Sequence, residues 1–312
     1  MFEVRRYTSS HADEWNRFVA QSKNGTFLFD RRFMDYHADR FDDCSLMIYR
    51  RCALYAMLPA NIKEGVLTSH GGLTYGGLIM SDKCSAKGVQ DAFIAINDFL
   101  RSLSVQRVVY NAVPWIYHQQ PAEEDLFALT SVCQARLIIR DISSAIIGER
   151  RMTFTESRLS GLRKARRCGL MVKESTDFDT FWQILNDNLT AKYGVRPVHS
   201  AAELEFLHGR FPDQIKLYLV FEDEVPLGGT VLFLTPRVLH AQYISATPEG
   251  KTCGAIDLLF DHLINQVYAD YRFIDFGKST SSDSADLNEN LIFQKEGFGA
   301  RAVCYDTYEW TL

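Results

Sequence analysis

The chain has 312 residues, of which 46% are hydrophobic and 23% are charged, and its formal net charge is −5. This length and apolar content can bury two ordinary cores, and no apolar run approaches the ~18 residues of a membrane-spanning helix, which excludes a membrane span. The acidic balance excludes a protein that coats DNA, and the start Met1-Phe-Glu-Val-Arg-Arg lacks a signal-peptide core, so we expect a cytoplasmic protein.

The seven cysteines are scattered, and their spacing fits neither a zinc site nor a disulfide framework. We expect reduced thiols and no bound metal. There is also no Gly-x-Ser-x-Gly elbow for a serine hydrolase and no phosphate loop of the Walker type.

The sequence of the first half predicts both helices and strands. The predicted elements are helices at about His11–Gln21, Arg31–Phe41 and Lys87–Ser104, and strands within Ser45–Leu58, at Arg107–Asn111 and at Ala135–Ile142. A glycine-dense segment, Ser69–Leu78, precedes the long helix.

A boundary near Gly148 divides the chain into domains 1–148 and 149–312. The second half predicts a basic helix after the boundary, helices at about Phe178–Lys192 and Ala201–Gly209, strands Lys216–Phe221, Gly229–Leu234 and Val238–Ala246, a helix Ala255–Ile264, a strand Phe273–Gly277 and a terminal strand Ala300–Trp310. The order of elements repeats that of the first half, and Gly88 and Asp91 stand at a helix start as Gly254 and Asp257 do. We therefore expect a duplicated α/β unit.

A strand, a glycine-bearing turn and a helix follow one another from Val238 to Ile264. Unpaired backbone N–H groups at such a helix start can hold a pyrophosphate without a charged side chain. This layout resembles the GNAT acyltransferases, whose turn pattern is matched loosely by Lys251-Thr-Cys-Gly-Ala-Ile256 and whose later segment is matched by Ile292-Phe-Gln-Lys-Glu-Gly-Phe298.

The resemblance implies that an acyl-coenzyme A, acetyl-CoA or another, is bound as co-substrate at the strand end and the turn. The cofactor-binding residues implied in this way are Ser245, Ala246, Gly250, Lys251, Thr252, Cys253 and Gly254. A nucleophilic role for Cys253 is disfavoured, because in GNAT-like folds the amine attacks the thioester directly.

A closer resemblance is to the Fem-type branch, the aminoacyl transferases of bacterial cell-wall assembly and related acetyltransferases. Leu162-Arg-Lys-Ala-Arg-Arg-Cys-Gly169 and Phe273-Ile-Asp-Phe-Gly277 stand where that branch has a basic helix and a Tyr-Asp-Phe-Gly-like strand end. The implied fold class is α/β (α+β), with two tandem GNAT-like domains, each a mixed, mostly antiparallel sheet flanked by helices.

The candidate catalytic residues are Asp275 and Asn288. Asp275 lies between Ile274 and Phe276 in an apolar strand, where a carboxylate is costly to bury unless it is paired. It is a candidate to hold an ammonium or a histidine, or to act as a base, and the alternative is that it bonds a neighbouring loop. Phe293 stands where many GNAT enzymes place a tyrosine acid, and phenylalanine has no proton to give.

The candidate substrate-binding residues are aromatic side chains and histidines in predicted loops: His70, Tyr75, Tyr117, His118, Tyr193 and His199. The alternative for His70 and Tyr75 is packing in a tight glycine-rich strand pair, and the alternative for the other four is an ordinary loop.

Arginines and lysines cluster in the predicted helix after Gly148. Phosphate binding, of coenzyme A or of a tRNA acceptor end, is one interpretation, and a solvated helix face is the other. The sequence thus predicts an N-acyltransferase that moves an acyl group from acyl-CoA to an amine, small or peptide-like, held between the domains. The alternatives are Fem-type transfer from aminoacyl-tRNA to a peptidoglycan precursor, and an inactive ligand-binding tandem protein.

Overall fold

The computed structural model describes residues 1–194, 197–280 and 286–312, except for the side chains of residues 37 and 191–193. The described residues form two compact units, the first made of residues 1–142 and 304–312 and the second made of residues 143–280 and 286–303. No helix in the described part of the chain is long and apolar enough to cross a membrane.

The first unit begins with short elements and ends on a long strand. Its helices are α1 Ala12–Gln21, α2 Arg31–Met34, α3 Ala86–Ser102 and α4 Glu124–Ser131, and its strands are β1 Phe2–Arg6, β2 Leu46–Arg50, β3 Ala53–Leu58, β4 Asn61–Lys63, β5 Val66–Thr68, β6 Ile79–Met80, β7 Arg107–Asn111 and the start of β8 Arg136–Ile147. The order β1-β2-β3-β6 is antiparallel, and in the order β4-β5-β7 the strands β5 and β7 run parallel.

The second unit carries one mixed sheet with helices on both faces. Its helices are α5 Glu156–Arg167, α6 Phe178–Tyr193, α7 Ala201–Arg210, α8 Pro248–Cys253, α9 Ala255–His262 and α10 Glu289–Gly297, and its strands are β9 Met171–Ser175, β10 Ile215–Glu222, β11 Val225–Leu234, β12 Val238–Ala246, β13 Phe273–Lys278 and the start of β14 Arg301–Thr311. The strand order is β8-β13-β12-β11-β10-β9, in which the pair β12 and β13 is parallel and the other pairs are antiparallel.

The two units share one arrangement. In the first, β5 and β7 pair in parallel with α3 between them in the chain, and in the second, β12 and β13 pair in parallel with α8 and α9 between them. A parallel pair requires such a crossover. The predicted fold class, a tandem of mixed sheets flanked by helices, is confirmed.

The division between the units differs from the predicted boundary after Gly148. Strand β8 runs without a break through Ile142, where the units divide, to Ile147. The end of β14 pairs with β7 of the first unit, Trp310 opposite Val108, so Cys304–Leu312 belongs to that unit.

Candidate functional site

A wedge opens between β12 and β13 in the second unit. Within the described residues the parallel ladder joins only Val238–His240 to Phe273–Asp275, although β12 continues to Ala246 and β13 to Lys278. Opposite this opening, β12 pairs with β11 through a bulge that leaves Gln242 as an extra residue between Ala241 and Tyr243. The bulge breaks the strict alternation predicted from the sequence, because one inserted residue exchanges the faces of the strand beyond it.

The turn after β12 is held by its own polar groups. Thr247 is the N-cap of α8, and its hydroxyl accepts the N–H of Gly250 at 3.0 Å. A Cβ at Gly250 would lie 2.1 Å from the carbonyl oxygen of Leu227, so this glycine permits the turn to pack against β11. The turn therefore packs closely against β11 and lies at the open end of the wedge.

Two predicted cofactor residues, Ser245 and Lys251, are joined through Asn188 in one chain of hydrogen bonds at this turn. The side-chain amide of Asn188, on α6, donates to the hydroxyl of Ser245 at 3.2 Å, and its oxygen accepts from the ammonium of Lys251. Ser245 and Ala246 are buried, whereas Lys251 is exposed and Thr252 bonds back to the carbonyl of Pro248. Lys251 is thus the charged group that this chain presents to solvent.

Helix α5 lies against α9 at the other side of the turn. A Cβ at Gly254, whose φ is +81°, would lie 2.3 Å from the carbonyl oxygen of Gly161. Beside this contact Arg158 donates to the buried carboxylate of Asp257 at 2.7 Å, and burial raises the pKa of Asp257 while Arg158 lowers it.

The thiol of Cys253 touches that of Cys168, which raises the pKa of Cys253. A raised pKa is the opposite of what a nucleophilic thiol requires. The turn therefore offers the ammonium of Lys251 rather than a reactive cysteine.

Ion pairs neutralise part of the positive charge of α5, the helix predicted to be basic. Arg158, Arg163 and Arg166 form ion pairs with Asp257, Glu156 and Asp261 respectively. In the described part of the chain, Lys164 and Arg167 are engaged in no such pair.

A buried histidine–aspartate pair lies at the closed end of the wedge. Asp275 is 0% exposed, and its Oδ2 lies 2.9 Å from Nδ1 of His240, which is 7% exposed. Its other oxygen, Oδ1, accepts from the hydroxyl of Ser143 and, at 3.0 Å, from the N–H of Gly277. Because a carboxylate only accepts, we infer that the proton of the His240 ring is on Nδ1.

Lys295, on α10, anchors the end of β13. Its ammonium donates to the carbonyls of Gly277 and Lys278 at 2.7 Å and to the hydroxyl of Ser279 at 2.9 Å. Burial lowers the pKa of Lys295 to about 8, and the charge of Asp275 opposes this shift. The strand end that departs from β12 is thereby fixed in place.

The other two positions of interest on this helix lie nearer solvent. The side chain of Asn288 caps α10 and accepts the N–H of Leu291 at 3.1 Å. The ring of Phe293 is 65% exposed. The cap accounts for Asn288 in this structure, and its catalytic role stays a prediction.

His199 reaches the sheet beside the bulge. Its Nδ1 lies 2.6 Å from the hydroxyl of Tyr243, and its carbonyl accepts from the indole of Trp182 at 3.0 Å. Burial raises the pKa of Tyr243 to about 12, so this hydroxyl is protonated at neutral pH. The side chain of Tyr193, predicted in the same loop region, lies outside the described residues.

The four candidates of the first unit are interior. Tyr75 packs on Tyr117 with ring centroids 4.5 Å apart, and the hydroxyl of Tyr117 bonds that of Tyr305 at 3.0 Å. His118 bonds the carbonyl of Val113 at 3.0 Å, and the buried His70 lies against the ring of Phe41. Packing accounts for these positions, and their substrate role stays a prediction.

The glycine-dense segment is also explained by packing. A Cβ at Gly76 would lie 1.8 Å from the carbonyl oxygen of Ser69. A separate concavity of about 420 Å³ lies between the end of α1 and the β2–β3 hairpin, with Arg50, Arg51 and Lys83 in its wall, and it includes none of the four candidates.

Sequence reasoning missed His240 and Lys295 as site residues. His240, like Asp275, is a polar residue in an apolar strand, and this could have marked it as a candidate. The pairing of the two residues depends on the register between β12 and β13, which a single sequence does not show. Among the described residues, no cluster of three or more histidine, cysteine, aspartate or glutamate side chains could hold a metal ion.

Residues 157–284, which span both sides of the wedge, match the family model of the acetyltransferase (GNAT) domain. A comparison with curated proteins found no match in sequence.

Solved structures with the same fold are distant in sequence. FemX is 11% identical with a TM-score of 0.70, and the match covers 99% of this chain and 97% of that one. L-PGS from Bacillus licheniformis is 9% identical with a TM-score of 0.62 over 97% of this chain and 92% of that one. A tandem GNAT protein from the clavulanic acid biosynthesis pathway is 9% identical with a TM-score of 0.54, covering 100% and 98%.

Together these matches confirm the predicted resemblance to GNAT proteins of the tandem, Fem-like kind. At such low identity the structural likeness shows the fold, while the domain match supports an acyltransferase activity in general.

Proposed function

We propose that this tandem GNAT-like chain is a cytoplasmic N-acyltransferase whose second unit binds an acyl-coenzyme A along β12 and transfers the acyl group to an amine. The carrying observation is the wedge, in which β12 and β13 pair over Val238–His240 and Phe273–Asp275 and then separate. An extended ligand arm can pair with the strand edge that β13 leaves uncovered, and the turn that begins at Thr247 stands at its open end.

The groups at the turn fit an anion. Lys251 projects from α8, and the positive charge of Lys164 on α5 acts on Cys253 of the same turn. The pyrophosphate of coenzyme A would meet these ammonium groups, because the N–H groups of Gly250, Lys251 and Gly254 are already bonded within the turn. Glu249 at the start of α8 opposes an anion, so the two lysines carry the recognition.

The acceptor amine would approach from the α6–α7 side of the sheet. His199 and Tyr243 form the polar pair on that side, 2.6 Å apart, and Trp182 supplies an aromatic wall. Direct attack requires a neutral amine in line with the thioester carbonyl and backbone donors for the oxyanion. Tyr193 stays in the proposal as a sequence-based candidate for this pocket, and the substrate role of His70, Tyr75, Tyr117 and His118 stays one for the first unit.

The test is titration calorimetry of the full chain with acetyl-CoA, free coenzyme A and uncharged tRNA. We expect acetyl-CoA to bind, and Lys251→Ala to weaken this binding about tenfold, or ~1.4 kcal/mol. Lys87→Ala, which removes an exposed lysine from the first unit, is the matched control and leaves binding unchanged. Failure of the parent to bind acetyl-CoA or coenzyme A refutes the proposal.

A second candidate is Fem-type transfer from aminoacyl-tRNA, and the observation that favours it is the unpaired part of the basic helix. Lys164 and Arg167 stand on α5 beside arginines that are already neutralised. Phosphate contacts of this kind give affinity that falls steeply with salt. Tight, salt-sensitive binding of tRNA, with no binding of acetyl-CoA, would favour this candidate.

The remaining alternative is a binding protein without activity, because Phe293 stands where a tyrosine acid is expected and has no proton to give. A positioned acid contributes about 10²–10⁴-fold to such transfers, and coenzyme A thiolate leaves without one at a reduced rate. Binding of acetyl-CoA without transfer to any of a panel of amines would identify the binding protein, and turnover would exclude it.

A further inference from the structure

A concavity in the first unit is lined by more positive than negative charge. It has a volume of about 420 Å³ and lies between the end of α1, the β2–β3 hairpin and the turn that joins β6 to α3. Its charged lining residues are three cations, Arg50, Arg51 and Lys83, and one anion, Asp82. The whole chain has a net charge of −5, so this positive excess is a local property of the concavity.

The three cations of the concavity are exposed and are not neutralised by the protein. Among the described residues, none of them forms an ion pair or donates a side-chain hydrogen bond. Other exposed arginines of the first unit, Arg5, Arg101 and Arg140, are each held by a carboxylate. The charge of the three cations is therefore available to a ligand.

Aromatic rings, rather than a carboxylate, hold Arg50 in place. Its Cζ lies 5.5 Å from the centroid of the Phe2 ring and 5.6 Å from that of the Tyr55 ring. Tyr55 is itself fixed, because its hydroxyl accepts the N–H of Ser85 at 3.0 Å and its carbonyl accepts the N–H of Ser81 at 3.3 Å. A guanidinium that lies over aromatic faces keeps the N–H groups at its edge available to an anion.

The hairpin turn carries Arg51 in a backbone conformation that arginine does not favour. Arg50 pairs with Ala53 in register, and the two residues between them, Arg51 and Cys52, have φ values of 51° and 63°. Hairpins with such a turn favour Asn-Gly, which adopts positive φ at little cost, whereas an arginine adopts it at a cost in stability. The backbone of the hairpin thus gives no reason for the arginine at this position.

Lys83 comes from a second element, the turn between β6 and α3. The N–H of Cys84 closes this turn on the carbonyl of Ser81 at 3.0 Å, and Ser85 then caps α3. The hairpin and this turn each have a defined backbone, and their cations line the same concavity. Charge that converges from two ordered elements is typical of a binding site for an anion.

The rest of the lining is partly apolar. Phe18 and Leu54 are half-buried and Tyr55 is buried, and all three line the concavity. Its volume of about 420 Å³ lies within the roughly 300–1,000 Å³ of small-molecule sites. A bare inorganic anion would fill little of this space, so the volume and the apolar wall fit an organic molecule.

We propose that this concavity binds a small organic dianion, a phosphate monoester or a dicarboxylate on an apolar body. The anionic groups contact Arg50, Arg51 and Lys83, and the body lies against Phe18 and Leu54. This inference does not depend on the proposed function, because the lining residues all belong to the first unit and the acyl-CoA site belongs to the second.

The first test measures the affinity of the full chain for three probes that share one aromatic ring. Phenyl phosphate and phthalate are dianions, and phenyltrimethylammonium is a cation. We expect at least one of the dianions to bind, the tighter one identifying the anionic group, and the cation not to bind. Absence of binding by both dianions overturns the proposal, and so does displacement of the bound dianion by saturating acetyl-CoA.

The second test uses substitutions with opposite expected effects. Arg51→Asn removes a cation and keeps a residue that tolerates the left-handed conformation, so this variant is expected to fold. Lys83→Gln removes another cation, and Asp82→Asn removes the opposing carboxylate. Lys87→Gln, at an exposed lysine of α3 outside the concavity, is the matched control.

At low ionic strength, the double variant Arg51→Asn/Lys83→Gln should weaken binding of the dianion at least about tenfold. Asp82→Asn should strengthen the binding by about two- to fivefold, an effect that a loss of folding does not produce. Lys87→Gln should leave it unchanged. Parent-like affinity in the double variant, or an affinity in Asp82→Asn that does not rise, overturns the proposal.

Discussion

A Cβ atom on Gly254 would lie 2.3 Å from the carbonyl oxygen of Gly161, so helices α5 and α9 meet backbone to backbone at this pair. The glycine that resembled a ligand-contacting residue in the sequence is therefore also required by helix packing. Its φ of +81° adds a second requirement for glycine.

Gly254→Ala should consequently destabilise the protein. The left-handed conformation costs an alanine roughly 1–2 kcal/mol, and the clash with Gly161 adds about 1–3 kcal/mol. Gly169→Ala is the matched control, since Gly169 has a φ of +71° and nothing within 4 Å of its Cβ position, so it bears the conformational cost alone. Urea unfolding measures the free energy of unfolding of both variants. An equal decrease in the two would show that the contact between α5 and α9 at Gly254 adds no cost.

Lys295→Met should also lower the free energy of unfolding. The methionine fills a similar volume but leaves the carbonyls of Gly277 and Lys278 and the hydroxyl of Ser279 without this donor, at about 1–3 kcal/mol. Lys87→Met on the exposed face of α3 is the control and should change stability little. A Lys295→Met protein as stable as the parent in urea would mean that these bonds contribute nothing net.

Stability of the first unit should fall as the pH rises from about 4 to about 6, through Asp125. Burial raises the pKa of this carboxyl from its ordinary value to about 6, and Tyr110 bonds it at 2.6 Å. A folded pKa above the unfolded value means that the folded state binds the proton more tightly. The contribution is thus complete below about pH 4 and is lost as the pH rises through about 6.

Asp125→Asn, which carries no titrating group, should remove this component from the pH dependence of unfolding between pH 4 and pH 7. Asp98→Asn on the surface should retain it. A parent-like slope in Asp125→Asn would contradict the assignment.

The double variant Lys164→Gln/Arg167→Gln should weaken acetyl-CoA binding several-fold and reduce its salt dependence, because it removes cations of α5 that are free to meet phosphate. Arg101→Gln, whose arginine pairs with Asp98 in the first unit, serves as the control for the loss of a surface charge. Titration with acetyl-CoA at two salt concentrations measures this effect. A salt dependence equal to that of the parent would show that these cations of α5 do not contact the phosphates.

Local sequence patterns predicted the elements well where one face is apolar. Strands β7 and β12 have the predicted bounds, Arg107–Asn111 and Val238–Ala246, because alternation and flanking turn residues define them. The helix predicted at Arg31–Phe41 is shorter, with α2 ending at Met34. There the chain continues as one 3₁₀ turn, Asp35–His37, and Arg31 forms an ion pair with Asp43 outside the helix, a tertiary contact that periodicity does not record.

The candidate site was predicted less completely. The strand, the turn and Asp275 follow from local sequence, and so does the need for a partner to that carboxylate. The partner, His240, is set by the parallel register between β12 and β13, and the role of Gly254 by the packing of α5, which lies about ninety residues earlier in the chain. Such long-range relations have no signature in a single sequence.

The most direct measurement is hydrogen exchange of the full chain with and without acetyl-CoA. Binding in the wedge should slow exchange of amides in peptides that cover β12 and the turn, residues 241–256, and leave the corresponding segment of the first unit, residues 66–88, unchanged. Protection absent from residues 241–256 at saturating acetyl-CoA, or confined to the first unit, would contradict the account.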